Sequence, residues 1–176
     1  MLFLSKKLRE YIIDWCKQFI IAIVFVLFFY WFVILNANVP TGSMQNTIQT
    51  PSRNIAFRLS YLFAEPQRHD VVIFSAPDTA ELYVKRIIGL PGEVVEIREG
   101  KVYINGSETA LDDSFVDNPS YEDWGPRRVP ELHYFVLGDN RANSHDSREW
   151  YNTYVPRADI MGKLVFSYYP RLQLIK

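Results

Sequence analysis

The sequence predicts a mostly β fold, one N-terminal transmembrane helix followed by an antiparallel β-sheet domain. Two observations predict it. No charged residue lies between Lys17 and Arg53. Beyond residue 60, apolar residues fall in short β-branched runs set off by tight-turn dipeptides, with no long helical periodicity.

The transmembrane element comes first. Phe19 to Leu35 is apolar throughout. At about 1.5 Å per residue this run reaches most of a hydrocarbon core of about 30 Å, and Ala37 and Val39 extend it. Tyr30 and Trp31 sit toward one end, as interfacial aromatics do. A buried core helix would show polar positions at helical spacing, and none interrupt this run. A cleaved secretory signal has a shorter apolar region ending in a small-x-small site, which Asn36-Ala37-Asn38 matches poorly. An uncleaved anchor over residues 18–37 is therefore expected. Lys6, Lys7, Arg9 and Lys17 precede the span, and the next basic residue after it is Arg53. The positive-inside rule then predicts a single-pass protein of the cell membrane, with residues 1–17 cytoplasmic and 38–176 outside.

Composition narrows the chemistry. At 176 residues the chain has room for one modest domain, and a net charge of −1 argues against a nucleic-acid partner. The only cysteine, Cys16, falls on the cytoplasmic side or among the lipid headgroups. The outer domain is thus expected to hold no disulfide and no thiolate metal site. His69, His133 and His145 are widely separated, so neither a zinc cluster nor any other metal or cofactor is expected.

The β elements follow in order. Val71 to Phe74 and Leu82 to Ile88 read as strands. Glu93 to Arg98 and Lys101 to Ile104 flank Glu99-Gly100 and read as a hairpin, and Asn105-Gly106 supplies another tight turn. Tyr134 to Leu137 and Lys163 to Tyr168 complete the set. Ala56 to Phe63 fits a helical turn or a strand. Residues 107–131, acidic and proline-bearing, read as an exposed loop insertion.

Lys85, within Tyr83-Val84-Lys85-Arg86-Ile87-Ile88-Gly89, is the residue most suggestive of chemistry. On a strand it shares a face with Tyr83 and Ile87, while Arg86 points the other way. Desolvation there disfavours its charged form. Free lysine, with a pKa of about 10.4, is neutral at pH 7 in only about one molecule in 2,500. Lowered to about 7–8, it becomes a usable general base. The bland reading of Lys85 is a lysine that snorkels to the surface or pairs with a carboxylate.

A matching nucleophile is Ser43, in Val39-Pro40-Thr41-Gly42-Ser43-Met44. Pro40 holds Val39 extended, and Gly42 permits a bend that projects the serine. Eight residues separate Ser43 from Leu35, at most about 28 Å of extended chain, which keeps it near the outer membrane surface. Met44 and Ile48 are expected to face lipid or substrate. A third segment, Gly138 to Arg148, is dense in hydrogen-bonding groups. Its Ser144 and Asp146 suit the orientation of a buried lysine, and Arg86, Arg141 and Arg148 suit pairing with Asp139 and Asp146.

Pro40-Thr41-Gly42-Ser43-Met44, Arg68-His69-Asp70-Val71-Val72-Ile73-Phe74, Tyr83 through Glu93, and the Gly138 to Arg148 run together resemble the ordered motifs of bacterial type I signal peptidases. With the anchor, the resemblance covers nearly the whole chain. It implies a membrane-anchored serine endopeptidase of Ser-Lys type, with an antiparallel β-sheet catalytic domain. Ser43 would be the nucleophile and Lys85 the base. Ser144 would orient Lys85, Asp146 would support that loop with Arg148, and Asp139 would pair with Arg86. The Ser43 N–H and the Thr41 hydroxyl would form the oxyanion hole. Val39, Pro40, Met44, Tyr83 and Val84 would shape shallow pockets for small residues at −1 and −3. The implied partners are signal-peptide-bearing preproteins emerging from the translocation machinery, and the lipid bilayer.

Three positions depart from that pattern. Asn46 stands where proline is usual, Thr41 replaces the commoner serine, and His69 replaces glycine. Two other readings compete: a Ser-His-Asp hydrolase using His145 or His133, as in relatives with histidine in place of the lysine, and an inactive membrane-tethered β module that binds exported peptides.

Overall fold

The computed structural model describes residues 6–79 and 81–175. Residues 1–5 of the expected cytoplasmic segment, and Lys176 at the end of the expected outer domain, lie outside the described residues. The chain divides into two compact units, the first ending at Ile34 and the second starting at Leu35.

The first unit is helix α1 (Lys6–Phe28), continued by a π-helical turn at Phe29–Val33. No side chain of α1 is buried, and Lys6–Val33 is long and apolar enough to cross a membrane. The helical segment ends earlier than the apolar run alone suggests, because Ile34 to Val39 is extended.

The second unit is β-rich. Its larger sheet contains β1 (Ile34–Val39), β2 (Ser52–Phe57), β3 (Val71–Ser75), β4 (Leu82–Gly89) and β8 (His133–Leu137). It also contains β9 (Val155–Pro156), β10 (Ile160–Tyr169) and the short β11 (Gln173–Leu174). The spatial order is β1-β2-β10-β3-β4-β8-β9, with β11 on β10. β10 runs antiparallel to β2 and β3, β3 to β4, and β4 to β8. A smaller sheet sets β5 (Val94–Arg98) between β6 (Lys101–Ile104) and β7 (Trp124–Arg128).

The β5–β6 hairpin closes on Glu99-Gly100 with φ of 49° and 78°, the doubly left-handed geometry of a two-residue turn that matches strand twist. A Cβ on Gly100 would overlap the Ser120 carbonyl, so the loop that follows lies directly on this turn. Ala56 to Phe63 is both of the things its sequence suggested: it ends β2 and continues into a 3₁₀ turn at Arg58–Tyr61. Trp124 to Arg128 lies inside the segment read as an exposed loop, yet it pairs with β5. Its Gly-Pro pair hides the strand from propensity, and proline is tolerated there because β7 is an edge.

β4 is central, and its side chains enter three apolar clusters. Val84 packs with Val71, Ile73, Met44 and Ile48. Ile87 joins Val72, Phe74 and Val136, and Ile88 joins Val95, Val129 and Phe135. A lysine on such a strand is set among packed apolar side chains.

Candidate active site

Ser43 sits on a 3₁₀ turn, Gly42–Met44, just beyond β1. Thr41 is extended (φ −102°, ψ 149°), and Gln45 N donates to the Gly42 carbonyl (3.0 Å) to close the turn. Met44 and Ile48 are fully buried in the cluster beneath, which pulls the turn onto the sheet. Both side chains join that cluster, and neither is among the residues that line the cleft at Ser43.

The cleft, of ≈ 330 Å³, runs between residues 38–43 and residues 81–85, with Asn143 and His145 at its rim. Val39, Pro40, Thr41, Ser43, Tyr83, Val84 and Lys85 all line it. The structure thus brings together every expected site residue of these two segments except Met44. The walls are extended chain, and β8 pairs with β4 only from Arg86 onward. Leu82 to Lys85 therefore keep the β8-side edge of their backbone unpaired with that strand.

Lys85 is 3 % exposed, and burial pushes its ammonium down to about 8, against the opposing pull of the Asp146 carboxylate. Its Nζ donates to Ser144 Oγ (3.0 Å), and Ser144 in turn donates to Asp146 Oδ2 (2.7 Å). The Gly138 N–H and the Arg148 guanidinium hold that carboxylate at 3.0 and 2.9 Å. Burial works against the Arg148 cation, but the Asp146 carboxylate more than offsets it, so the charge stays on arginine. Among the described residues Lys85 makes no hydrogen bond to Ser43. Catalytic bonds are often long in the absence of substrate. The Thr41 hydroxyl lies 3.5 Å from Ser43 Oγ.

Behind the dyad, Arg86 binds Asp139 through two parallel bonds of 2.9 and 2.7 Å. Thr47 Oγ1 donates to the same carboxylate, and Arg86 Nη1 reaches the His69 carbonyl (2.7 Å). Arg148 pairs with Asp146 as expected, but Arg141 does not pair with Asp139 or Asp146. It forks onto Asp113 (2.8 and 3.0 Å), from the segment read as a solvated insertion. His133 lies in a separate surface depression, and His145 Nδ1 faces Glu149 Oε2 at 2.7 Å.

The departures from the motif have local causes. Asn46 has φ of 93°, which a proline ring, held near −65°, cannot adopt. His69 has φ of 70°, the conformation a glycine would take without strain. Its ring lies 5.4 Å from that of Phe115 and is held below its ordinary pKa by burial and by Arg86.

Sequence reasoning did not single out Thr47, Asp113, Phe115, Asn118 or Asn140. Asn140 stood inside a quoted motif, while the other four carry no local signal and reach the site only through the fold.

Comparison with known proteins identifies the family. The family described as "Signal peptidase, peptidase S26" matches residues 12–169. Signal peptidase I of Leptolyngbya laminosa is 37 % identical over 158 residues, covering 85 % of this chain and 76 % of the relative. Signal peptidase I S of Bacillus subtilis (strain 168) is 35 % identical over 173 residues, covering 92 % and 91 %. A crystal structure of a signal peptidase I from Enterococcus faecalis V583 is 37 % identical and covers 58 % of this chain and 98 % of that one, with a TM-score of 0.48.

Proposed function

The chain belongs to the signal peptidase family, peptidase S26, and from that premise we propose that Ser43 and Lys85 are the nucleophile and general base with which it removes signal peptides. It is a serine endopeptidase whose substrates are signal-peptide-bearing preproteins. The observation that carries the residue assignment is one cleft holding a serine on a tight turn and a buried lysine whose Nζ is aimed by Ser144.

At pH 7 a lysine with a pKa of about 8 is neutral in about one molecule in ten, against about one in 2,500 when free. Neutral Lys85 takes the proton from Ser43 Oγ as that oxygen attacks the scissile carbonyl. The oxyanion is held by the Ser43 N–H and the Thr41 hydroxyl, each donor of this kind being worth about 10²–10³ in rate. Protonated Lys85 passes its proton to the leaving amine, which departs and leaves an acyl-enzyme. The lysine then activates the water that releases the signal peptide. The substrate lies extended between residues 38–43 and 81–85, adding a strand to the unpaired part of β4. Val39, Pro40, Tyr83 and Val84 narrow the cleft, favouring small residues at −1 and −3, with Met44 as its buried floor. Arg86–Asp139 and Asp146–Arg148 keep β4 and the 138–148 loop in register.

The protein is membrane-associated, as signal peptidases are. The finer reading is that the helical part of residues 18–37, which ends at Val33, anchors it once, with 1–17 cytoplasmic and 38–176 outside.

The test is cleavage of a precursor carrying Ala-x-Ala at −3 to −1. Ser43→Ala and Lys85→Ala each abolish it while the fold is retained. Turnover by Lys85→Ala, or loss of activity on replacing His145 alone with Lys85→His tolerated, would replace the lysine by a histidine base.

A further inference from the structure

The segment Asp113–Asn118, outside every recognised motif, closes over the back of the nucleophile turn. Asn46 Nδ2 donates to the Phe115 carbonyl (2.9 Å), Arg141 forks onto Asp113, and Ala142 N donates to the Asn118 carbonyl (3.1 Å). Asn118 adds a side-chain bond, Nδ2 to Asn140 Oδ1, at 2.9 Å. Asn140 then grips the turn twice, its N–H on the Ser43 carbonyl (3.0 Å) and its Nδ2 on the Gly42 carbonyl (2.9 Å).

The chemistry of the amides makes this chain directional. A backbone carbonyl only accepts, so Asn140 must present its NH₂ to Gly42, which leaves its Oδ1 facing Asn118. Asn118 must therefore donate. The Gly42 carbonyl shares one rigid peptide plane with the Ser43 N–H, so whatever holds the oxygen aims the hydrogen at the opposite end. Hydrogen bonds to the oxygen also polarise the amide and strengthen it as a donor.

We infer that Asn118 is a positioning residue of the peptidase reaction, acting through Asn140 and the Gly42–Ser43 peptide to aim the Ser43 N–H at the oxyanion. The inference rests on the assignment of that N–H as an oxyanion donor under the proposed function. Asn118 touches neither substrate nor the dyad.

The experiment measures kcat and KM for the full chain in detergent micelles, with a precursor carrying Ala-x-Ala. Misaiming a donor costs part of the about 10²–10³ that deleting one costs, so Asn118→Ala lowers kcat about 5- to 10-fold with KM within about twofold. Asn118→Asp lowers it further, about 10- to 50-fold. A carboxylate only accepts, so Asn140 turns its NH₂ toward it and sets its own oxygen against the Gly42 carbonyl. The midpoint of the kcat–pH profile stays in place in Asn118→Ala, because Lys85 is untouched and no charge is added near it. In an Asn140→Ala background, Asn118→Ala has no further effect, as expected for residues acting in one chain.

Wild-type kcat in Asn118→Asp, or losses that multiply in the double variant, would overturn the inference. So would a lowered Tm with unchanged kcat per folded molecule, the mark of a strap that only stabilises. If Asn118→Asp does not fold, Asn118→Ala and the double variant decide the matter. Ser43→Ala separates the two readings. Cleavage by that variant removes the site assignment itself, whereas a dead Ser43→Ala beside fully active Asn118 variants removes this inference alone.

Discussion

Replacing Lys85 with methionine deletes an amine that folding strips of water while keeping a side chain of similar length. In the folded chain the Lys85 pKa is about 8, against 10.5 for the free group. Below pH 8 both states carry the proton, and the folded state bears the cost of a poorly solvated cation. At about 1.4 kcal/mol per pH unit, the difference between 10.5 and about 8 amounts to roughly 3 kcal/mol. The sign follows from proton binding. Between pH 8 and 10.5 the unfolded chain binds more protons, so wild-type stability rises with pH there, falls as pH drops from 10.5 to 8, and is level in this respect below 8. The Lys85→Met variant lacks this titration. At pH 7 it is catalytically dead yet more stable than wild type, with a Tm higher by about 5–10 °C for a domain of this size. The assay is thermal unfolding of both proteins in the same detergent, followed by circular dichroism from pH 6 to 11. The gap between the two curves closes as pH rises from 8 to 10.5. A gap independent of pH, or a variant less stable than wild type at pH 7, would mean that Lys85 keeps an ordinary pKa and that burial does not prepare it as a base.

The kcat of the wild type rises with pH around a midpoint at or below about 8, since bound substrate removes further water from Lys85. Lys85→Arg stays inactive across that range because a guanidinium does not deprotonate in a protein, and a flat profile would remove the lysine base. Asp139→Ala leaves the buried Arg86 guanidinium without its carboxylate and costs about 3–5 kcal/mol, read as a lowered denaturation midpoint; a loss under about 1 kcal/mol would refute the pairing's structural role. Thr41→Val keeps the shape of the side chain and removes its hydroxyl, so kcat falls more than KM rises, and full activity would assign the oxyanion hole to other donors.

The legible part of this protein is the part written locally. The uncharged run after Lys17 marked α1, and the alternation around Lys85 marked β4, because hydropathy and strand period need only neighbours in the chain. Glu99-Gly100 marked its hairpin for the same reason. The motif runs named Ser43, Lys85, Ser144 and Asp146, and folding gathers the last three into one hydrogen-bonded chain while Ser43 shares the cleft with Lys85. What only the tertiary structure decided is where side chains meet across long separations. β7 forms despite Gly125 and Pro126 because β5 offers it an edge, a partner that propensity does not see. Met44 and Ile48 are buried because they join a cluster with Val71, Ile73 and Leu164 from distant strands, which no reading of an exposed-looking loop reveals. Asp113 and Asn118 belong to a stretch that is acidic and aperiodic, yet their partners Arg141 and Asn140 are 28 and 22 residues away. Such contacts arise from loop placement on the finished sheet. Local sequence sets which elements form, but the closure of those elements against one another sets which polar groups find a partner.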